Sequence, residues 1–428
     1  MSARAQYDFG PFFLDASERT LACNGRPVAL PPKAYDLLVA LVENAGRLLS
    51  KRELLDLVWP DSFVEEGILA VHVSSLRKAL GEDAIHTVPR SGYRFTASVT
   101  RRDTTLRPPR RITHPEVYEL FGQGRAHLLS ASLFDVPKAI EAFRAALQLE
   151  PEYAEAHAGL ALAHCAQAEL RLMPAAEAYG DARAAALRAL AMDDACADAQ
   201  AALGAVLFLS DWNWSGARRS LERALQLNPN HTEAYLLYGR LLEALGDLRA
   251  GLESKQKALE RDPFSAQVHV QIALSYFCQR RYDQAICWAN KALELDRRHL
   301  LAREVLAGAF LKMGDTDRHM AEVLRHAEAA GAPPEALEPL KQVYASGGRR
   351  AIVNLAIDRA SQQQSPNTAI VLAIHHAEAG NLDAAFQHLE RAMESHDPSL
   401  VYLAVGPQWD DLRADPRFDS CLARMGLR

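Results

Sequence analysis

The chain changes its apolar rhythm twice. Residues 7–30 (YDFGPFFLDASERTLACNGRPVAL) carry short apolar runs broken by Asp15, Asn24-Gly25 and Pro27. Asn-Gly between apolar stretches signals a tight hairpin, because the favoured turn needs φ above zero at both central residues. A small antiparallel sheet is predicted. From residue 31 the period becomes helical. In PPKAYDLLVALVENAG, Leu37, Leu38, Leu41 and Val42 recur at helical spacing, Pro31-Pro32 open the segment and Gly46 follows its end. Ser50 with Glu53 three residues on spells a capping box, so a second helix is expected to about Val58, stopped at Trp59-Pro60-Asp61. A third helix is expected over about Glu65–Leu80, ended by Gly81. IHTVPRSGYRF then reads as a hairpin turning at Pro89–Gly92.

At 100° per residue, the third helix places Leu69, Val73, Leu76 and Leu80 on one face, which should pack on the core. Gly67, Val71, Ser74, Ser75 and Lys78 fall opposite, with His72 and Arg77 at the flanks. That outer face is small, polar and basic. Small residues allow close approach, Ser can donate to or accept from base edges, Val71 can touch a thymine methyl, and Lys78 can pair with phosphate or guanine.

From about residue 115 the chain turns Ala/Leu-rich, helical and repetitive. AIEAFRAALQLEP, GARRSLERALQLNP, GLESKQKALERDP and AICWANKALELDR are variants of one segment. Pro229, Pro263 and Arg297 recur every 34 residues, as do Ala224, Ala258 and Ala292. Units are expected near 117–153, 154–196, 197–231, 232–265, 266–299 and 300–333. A degenerate stretch follows, then a further unit at 366–399 and a capping tail. One such unit cannot bury its own face, so units must stack.

Charge separates the two parts. The net charge is −6 overall, but +3 over residues 1–111, +6 over 72–111 and −9 over the remainder. A basic end on an acidic body points to a nucleic-acid contact confined to the N-terminal part, against the alternative of a merely solvated basic surface. Residues 100–113 (TRRDTTLRPPRRIT) read as a stiff linker whose arginines could add phosphate contacts. The six cysteines show no C-x-x-C spacing, which fits a reducing cytoplasm, and no apolar run is long enough to span a membrane. No H-E-x-x-H, phosphate-loop, nucleophile-elbow or dinucleotide fingerprint occurs, so neither an enzyme, a cofactor nor a metal site is expected. Gly122-Gln-Gly124 and the histidines read as packing or surface residues, and Asp410-Asp411 as an N-terminal cap for the tail helix.

Residues 7–99 resemble the winged-helix DNA-binding domain of the OmpR/PhoB type. The landmarks are PPKAYDLLVALVENAGRLLSKRELLDLVWPD, VEEGILAVHVSSLRKALGE and TVPRSGYRF, in the expected order. The resemblance implies a four-stranded sheet, three helices and a C-terminal hairpin wing. It implies duplex DNA as partner, with helix contacts at His72, Ser74, Ser75, Arg77 and Lys78, beside Val71, and wing contacts at Thr87, Arg90, Tyr93 and Arg94. Ser74-Ser75 and Pro89 stand where response regulators often carry Arg, which looks more like the CadC-type branch lacking a receiver. No receiver is expected ahead of residue 1, and no membrane anchor after the domain.

The 34-residue, two-helix period resembles the tetratricopeptide repeat. That resemblance implies a concave surface for a protein, peptide or small ligand, or for self-association as a homodimer. Groove-facing positions are expected at Leu236, Arg240, Val270, Leu274, Phe277, Glu304 and Leu311. The expected organisation is mainly α with a small α+β domain. A winged helix-turn-helix covers 1–100, an Arg/Pro-rich linker 101–114 and a repeat α-solenoid 115–428. The expected function is a cytoplasmic transcriptional regulator. The alternative is a protein-interaction scaffold whose winged helix has little sequence-specific DNA binding.

Overall fold

The computed structural model describes the chain except for residues 1–5, 17, 61–63, 65, 90, 98, 103–113, 115, 131–133 and 363–367. Strands β1 (Gln6–Phe9), β2 (Phe12–Asp15), β3 (Thr20–Cys23) and β4 (Arg26–Pro27) form an antiparallel meander. Its β3–β4 turn is Asn24-Gly25, both at positive φ (50° and 75°), as the hairpin signal requires. The resemblance implied four strands, and the structure adds a fifth, which corrects the linker boundary. Residues Thr100–Arg102 pair antiparallel with β1, Arg102 opposite Gln6. Arg101 and Arg102 therefore belong to the sheet by backbone pairing. The other linker arginines, Arg107, Arg110 and Arg111, lie outside the described residues.

Helix α1 (Pro32–Glu43) is buried along its apolar positions, and α2 (Lys51–Val58) carries the expected capping box, the Glu53 amide donating to Ser50 Oγ at 3.2 Å. Helix α3 (Gly67–Leu80) ends at Gly81, φ 99°, whose N–H closes on the Arg77 carbonyl. Strands β5 (Leu48–Ser50), β6 (Ile85–Val88) and β7 (Gly92–Phe95) form a second sheet in the order β5-β7-β6. The strand at Thr100–Arg102 is β8. Leu14, Leu21, Leu38, Leu54, Leu69, Leu76 and Phe95 meet in one core beneath α1–α3.

The body is a stack of helix pairs: α4/α5 (Glu116–Ser130, Asp135–Leu149), α6/α7 (Ala154–Glu169, Ala175–Met192), α8/α9 (Ala197–Leu209, Trp214–Leu227), α10/α11 (Thr232–Ala244, Leu248–Arg261), α12/α13 (Ala266–Cys278, Tyr282–Leu295) and α14/α15 (Leu300–Lys312, Thr316–Ala329). The pairs follow the units read from the sequence. Successive first helices α6, α8, α10, α12 and α14 touch one another and line the inner face. The 34-residue alanines Ala224, Ala258 and Ala292 are fully buried. At Gly239 an added Cβ would lie 2.7 Å from the Gly251 carbonyl, so the crossing of α10 and α11 needs a residue without a side chain. Gly124 faces the Phe143 ring in the same way, a packing role for that glycine.

Beyond α15, residues Pro334–Gln362 (α16) bend at Gly348, whose φ of 59° is not helical. Helices α17 (Thr368–Glu378) and α18 (Leu382–Glu394), two 3-10 turns (Pro398–Tyr402 and Pro407–Leu412) and α19 (Pro416–Arg424) build a small core around Phe386, Leu389, Trp409 and Phe418, against which Trp212 and Trp214 of the repeats also pack. The cap of α19 is Asp415, which accepts from the Arg417 amide at 2.9 Å. The expected cap at Asp410-Asp411 is corrected: Asp410 lies a turn too early and instead accepts from Arg280 at 2.6 Å and Arg413 at 2.8 Å.

The N-terminal domain rests on the turns between repeat units. The Leu30 amide donates to Asn230 Oδ1 at 2.5 Å, and the His72 and Phe264 rings lie 5.9 Å apart. Asn230 and Phe264 each follow one of the 34-spaced prolines, Pro229 and Pro263.

Candidate nucleic-acid interface

The apolar stripe of α3 fixes everything about the face opposite. Leu69, Val73 and Leu76 are buried at 0–2% exposure, which commits that side of the helix to the core. Gly67, Val71, Ser74 and Lys78 then point outward, Val71 with 56% of its surface exposed, and Ser75 is half-buried beside them. A thymine methyl, a base-edge donor and a phosphate are the partners such Val, Ser and Lys side chains suit.

Two flanking residues behave differently from the sequence expectation. His72 is only 1% exposed, packed between Trp59 at 5.5 Å and Phe264 at 5.9 Å. Burial, helped by the Lys33 ammonium, pushes its imidazole below the ordinary histidine range, so the neutral ring is favoured. A DNA contact at His72 is corrected on this ground, since no surface remains to make it. Arg77 is half-buried and turned along the protein. Its Nε and Nη2 donate to the Ile85 carbonyl at 3.1 and 2.7 Å, and Nη2 also donates to Thr87 Oγ1 at 2.6 Å. It therefore braces α3 against the wing.

In the wing, Thr87 and Arg94 are exposed, while Tyr93 is 7% exposed and packs in the domain core. Tyr93 is corrected as a DNA contact for the same reason as His72. Arg90 lies outside the described residues. The β6–β7 register places His86 directly opposite Arg94, and both are exposed. His86 was missed by sequence reading; alternation along IHTV, with Ile85 inward, was the signal that could have found it. Gly92 lets the hairpin close: a Cβ there would lie 1.9 Å from the Leu49 carbonyl oxygen. Lys78 on α3, and Arg94 and His86 on the wing, are thus exposed on two elements that Arg77 braces together.

The expected groove positions divide. Leu236 and Val270 are 2% and 0% exposed between repeat units, which corrects their placing on an open surface. Arg240 is likewise buried, held by Glu169 at 2.8 Å. Leu274, Phe277 and Leu311 are half-buried, and Glu304 is exposed within 3.1 Å of His326. Among the described residues, no group of three or more His, Cys, Asp or Glu could hold a metal ion, and no helix is long and apolar enough to cross a membrane.

Residues 25–95 match the family described as transcriptional regulatory protein, C terminal, and residues 208–274 match the tetratricopeptide repeat. The sensory transduction protein RegX3 of Mycolicibacterium smegmatis is 39% identical over 80 residues, which is 18% of this chain and 35% of that protein. The transcriptional activator CadC of Escherichia coli is 36% identical over 96 residues, 21% of this chain and 19% of that protein. The chain thus spans well under half the length of either relative. The solved DNA-binding domain of E. coli CadC is 33% identical, covers 24% of this chain and all of that one, and gives a TM-score of 0.22. The chain joins an OmpR/PhoB-type winged-helix domain, similar to that of CadC, to a tetratricopeptide-repeat array.

Proposed function

We propose that the protein is a cytoplasmic transcriptional regulator. Its winged helix binds duplex DNA, and its repeat body receives a protein or ligand effector or mediates self-association. The observation that carries this reading is the outward face of α3, where Val71, Ser74 and Lys78 stay exposed while the domain is docked on the repeats. On this reading Val71, Ser74 and Ser75 meet base edges in the major groove. Lys78, Thr87, Arg90 and Arg94 meet the phosphate backbone, with Arg77 holding helix and wing at a fixed angle. The domain names carried by the relatives, a transcriptional activator and a sensory transduction protein, agree with it. Gel shifts against genomic fragments test it. Expected is a sequence-selective shift that weakens steeply with salt. A stable protein partner together with weak, unselective DNA binding would favour the scaffold reading instead.

A further inference from the structure

From the second unit onward, each helix pair turns from its first helix to its second through a left-handed residue. In three units that residue is glycine: Gly246, Gly314 and Gly380, with φ between 79° and 91°. In the second, third and fifth units it is Arg171, Trp212 or Arg280, at φ 58°, 51° and 58°. L residues take this conformation at a conformational cost, so these side chains replace glycine for what they touch. All three touch the C-terminal module. Arg171 Nη2 lies 3.4 Å from Ser399 Oγ, the Trp212 ring stacks on His396 at 4.3 Å, and Arg280 donates to the Val405 carbonyl at 2.9 Å and to Asp410 at 2.6 Å.

Between these anchors, Val401, Tyr402 and Val405 enter the inner face of the stack. They share one buried cluster with Cys165, Phe208, Leu237, Leu241 and Cys278, from helices α6, α8, α10 and α12. The opposite edge of the same segment, Leu400, Leu403 and Trp409, belongs to the module's own core. The module lies across the groove with a core of its own, into which Trp212 and Trp214 of the third unit also pack, Trp214 Nε1 donating to the Met425 carbonyl at 2.7 Å. It is joined to the stack by α16 with its non-helical Gly348.

We propose that the inner groove of α6–α12 is a peptide-recognition site, held in cis by the edge of the C-terminal module. The external partner it fits presents apolar and aromatic side chains spaced like Val401, Tyr402 and Val405, followed by a carboxylate in the place of Asp410. Arg280 is the selective group, because one guanidinium grips both the main-chain carbonyl and the carboxylate. The inference deepens the reading of the repeat body as receiver of a protein signal. It is tested without DNA, so its failure leaves the DNA-binding reading standing.

The test uses a fluorescein-labelled peptide of residues 397–411, titrated by anisotropy against the full chain. Wild type should bind it weakly, since the site is filled. The Tyr402→Ala/Val405→Ala double variant should bind it at least about tenfold more tightly. Adding Arg280→Ala should remove the gain. No gain in the double variant, or a gain that survives Arg280→Ala, overturns the proposal. So does a double variant that turns dimeric on size exclusion, which would assign the groove to a second copy's module. Amide exchange of the wild type decides the matter if the variant does not fold: residues 396–412 should open independently of α10–α12. Exchange of both at one common rate would mean a fixed wall and no site.

Discussion

Arg77 donates to two acceptors near the wing, so its removal loosens a hairpin as well as deleting a charge. Arg77→Ala should cost about 1.5–3 kcal/mol in urea unfolding, the range for hydrogen bonds to a charged group, and weaken binding to all sequences alike. Arg77→Lys restores the charge but cannot form the same fork, and should stay destabilised. Lys78→Ala should leave stability unchanged and lower the slope of log affinity against log salt by about 0.9. Equal salt slopes for wild type and Lys78→Ala would remove Lys78 from the interface. His72 gives a pH signature. Its folded imidazole titrates below its unfolded one, so the unfolded chain takes up the proton first on acidification. The stability it contributes is present above the ordinary histidine range, near 6.5, and is lost as pH falls below it. Lys33, Asp36 and Asp262 surround this contact and are common to both proteins compared. So is Glu18, whose carboxyl burial and Asp15 push up to about 7. His72→Phe should therefore show a smaller loss of melting temperature between pH 7 and 5 than wild type. Parallel losses would contradict the burial of His72 in the neutral form.

At the level of elements, the helices were legible because each is closed by local chemistry. Ser50 and Glu53 cap α2, Gly81 ends α3, and the leucine stripe points α3 inward. The direction of Arg77, the burial of His72 and the strand β8 were not legible. They depend on partners distant in sequence: the wing, Phe264 of the fourth repeat, and β1 more than ninety residues away. In the candidate site, the outward residues of α3 followed from period alone. The split of the wing into exposed Arg94 and buried Tyr93 required the register of the hairpin. Gly92→Ala tests that register, because a methyl would collide with the Leu49 carbonyl of the neighbouring strand. It should abolish DNA binding and lower the melting temperature. Gly67→Ala, which meets open space, should leave the melting temperature unchanged. The repeat helices hide a further feature that no period reveals. Lys255 and Glu243 form a fully buried pair at 2.7 Å, and Lys255 also donates to the Gln271 carbonyl at 2.9 Å. Glu243→Ala strands the ammonium in the interior and should cost about 3–5 kcal/mol in denaturant unfolding. A cost near zero would mean that water reaches Lys255.

For the molecule as a whole, the repeat stack presents two kinds of turn to two different loads. The turns between units carry the winged helix at Asn230 and Phe264, and the turns within units carry the C-terminal module at Arg171, Trp212 and Arg280. The same stack therefore touches both the DNA-binding domain and the groove occupant, which is the physical requirement for a signal at one to reach the other. Phe264→Ala with Asn230→Ala should free the winged helix, seen as a larger radius of gyration in small-angle scattering, without loss of DNA affinity, since the outward face of α3 is already exposed when docked. The central claim is that this face reads duplex DNA. Footprinting of the purified full chain on its own upstream region tests it most directly. The account predicts a discrete protected site that shifts in sequence preference with Ser75→Ala and fades uniformly with Lys78→Ala. Protection without site preference, or with Ser75→Ala and Lys78→Ala indistinguishable from wild type, would contradict it.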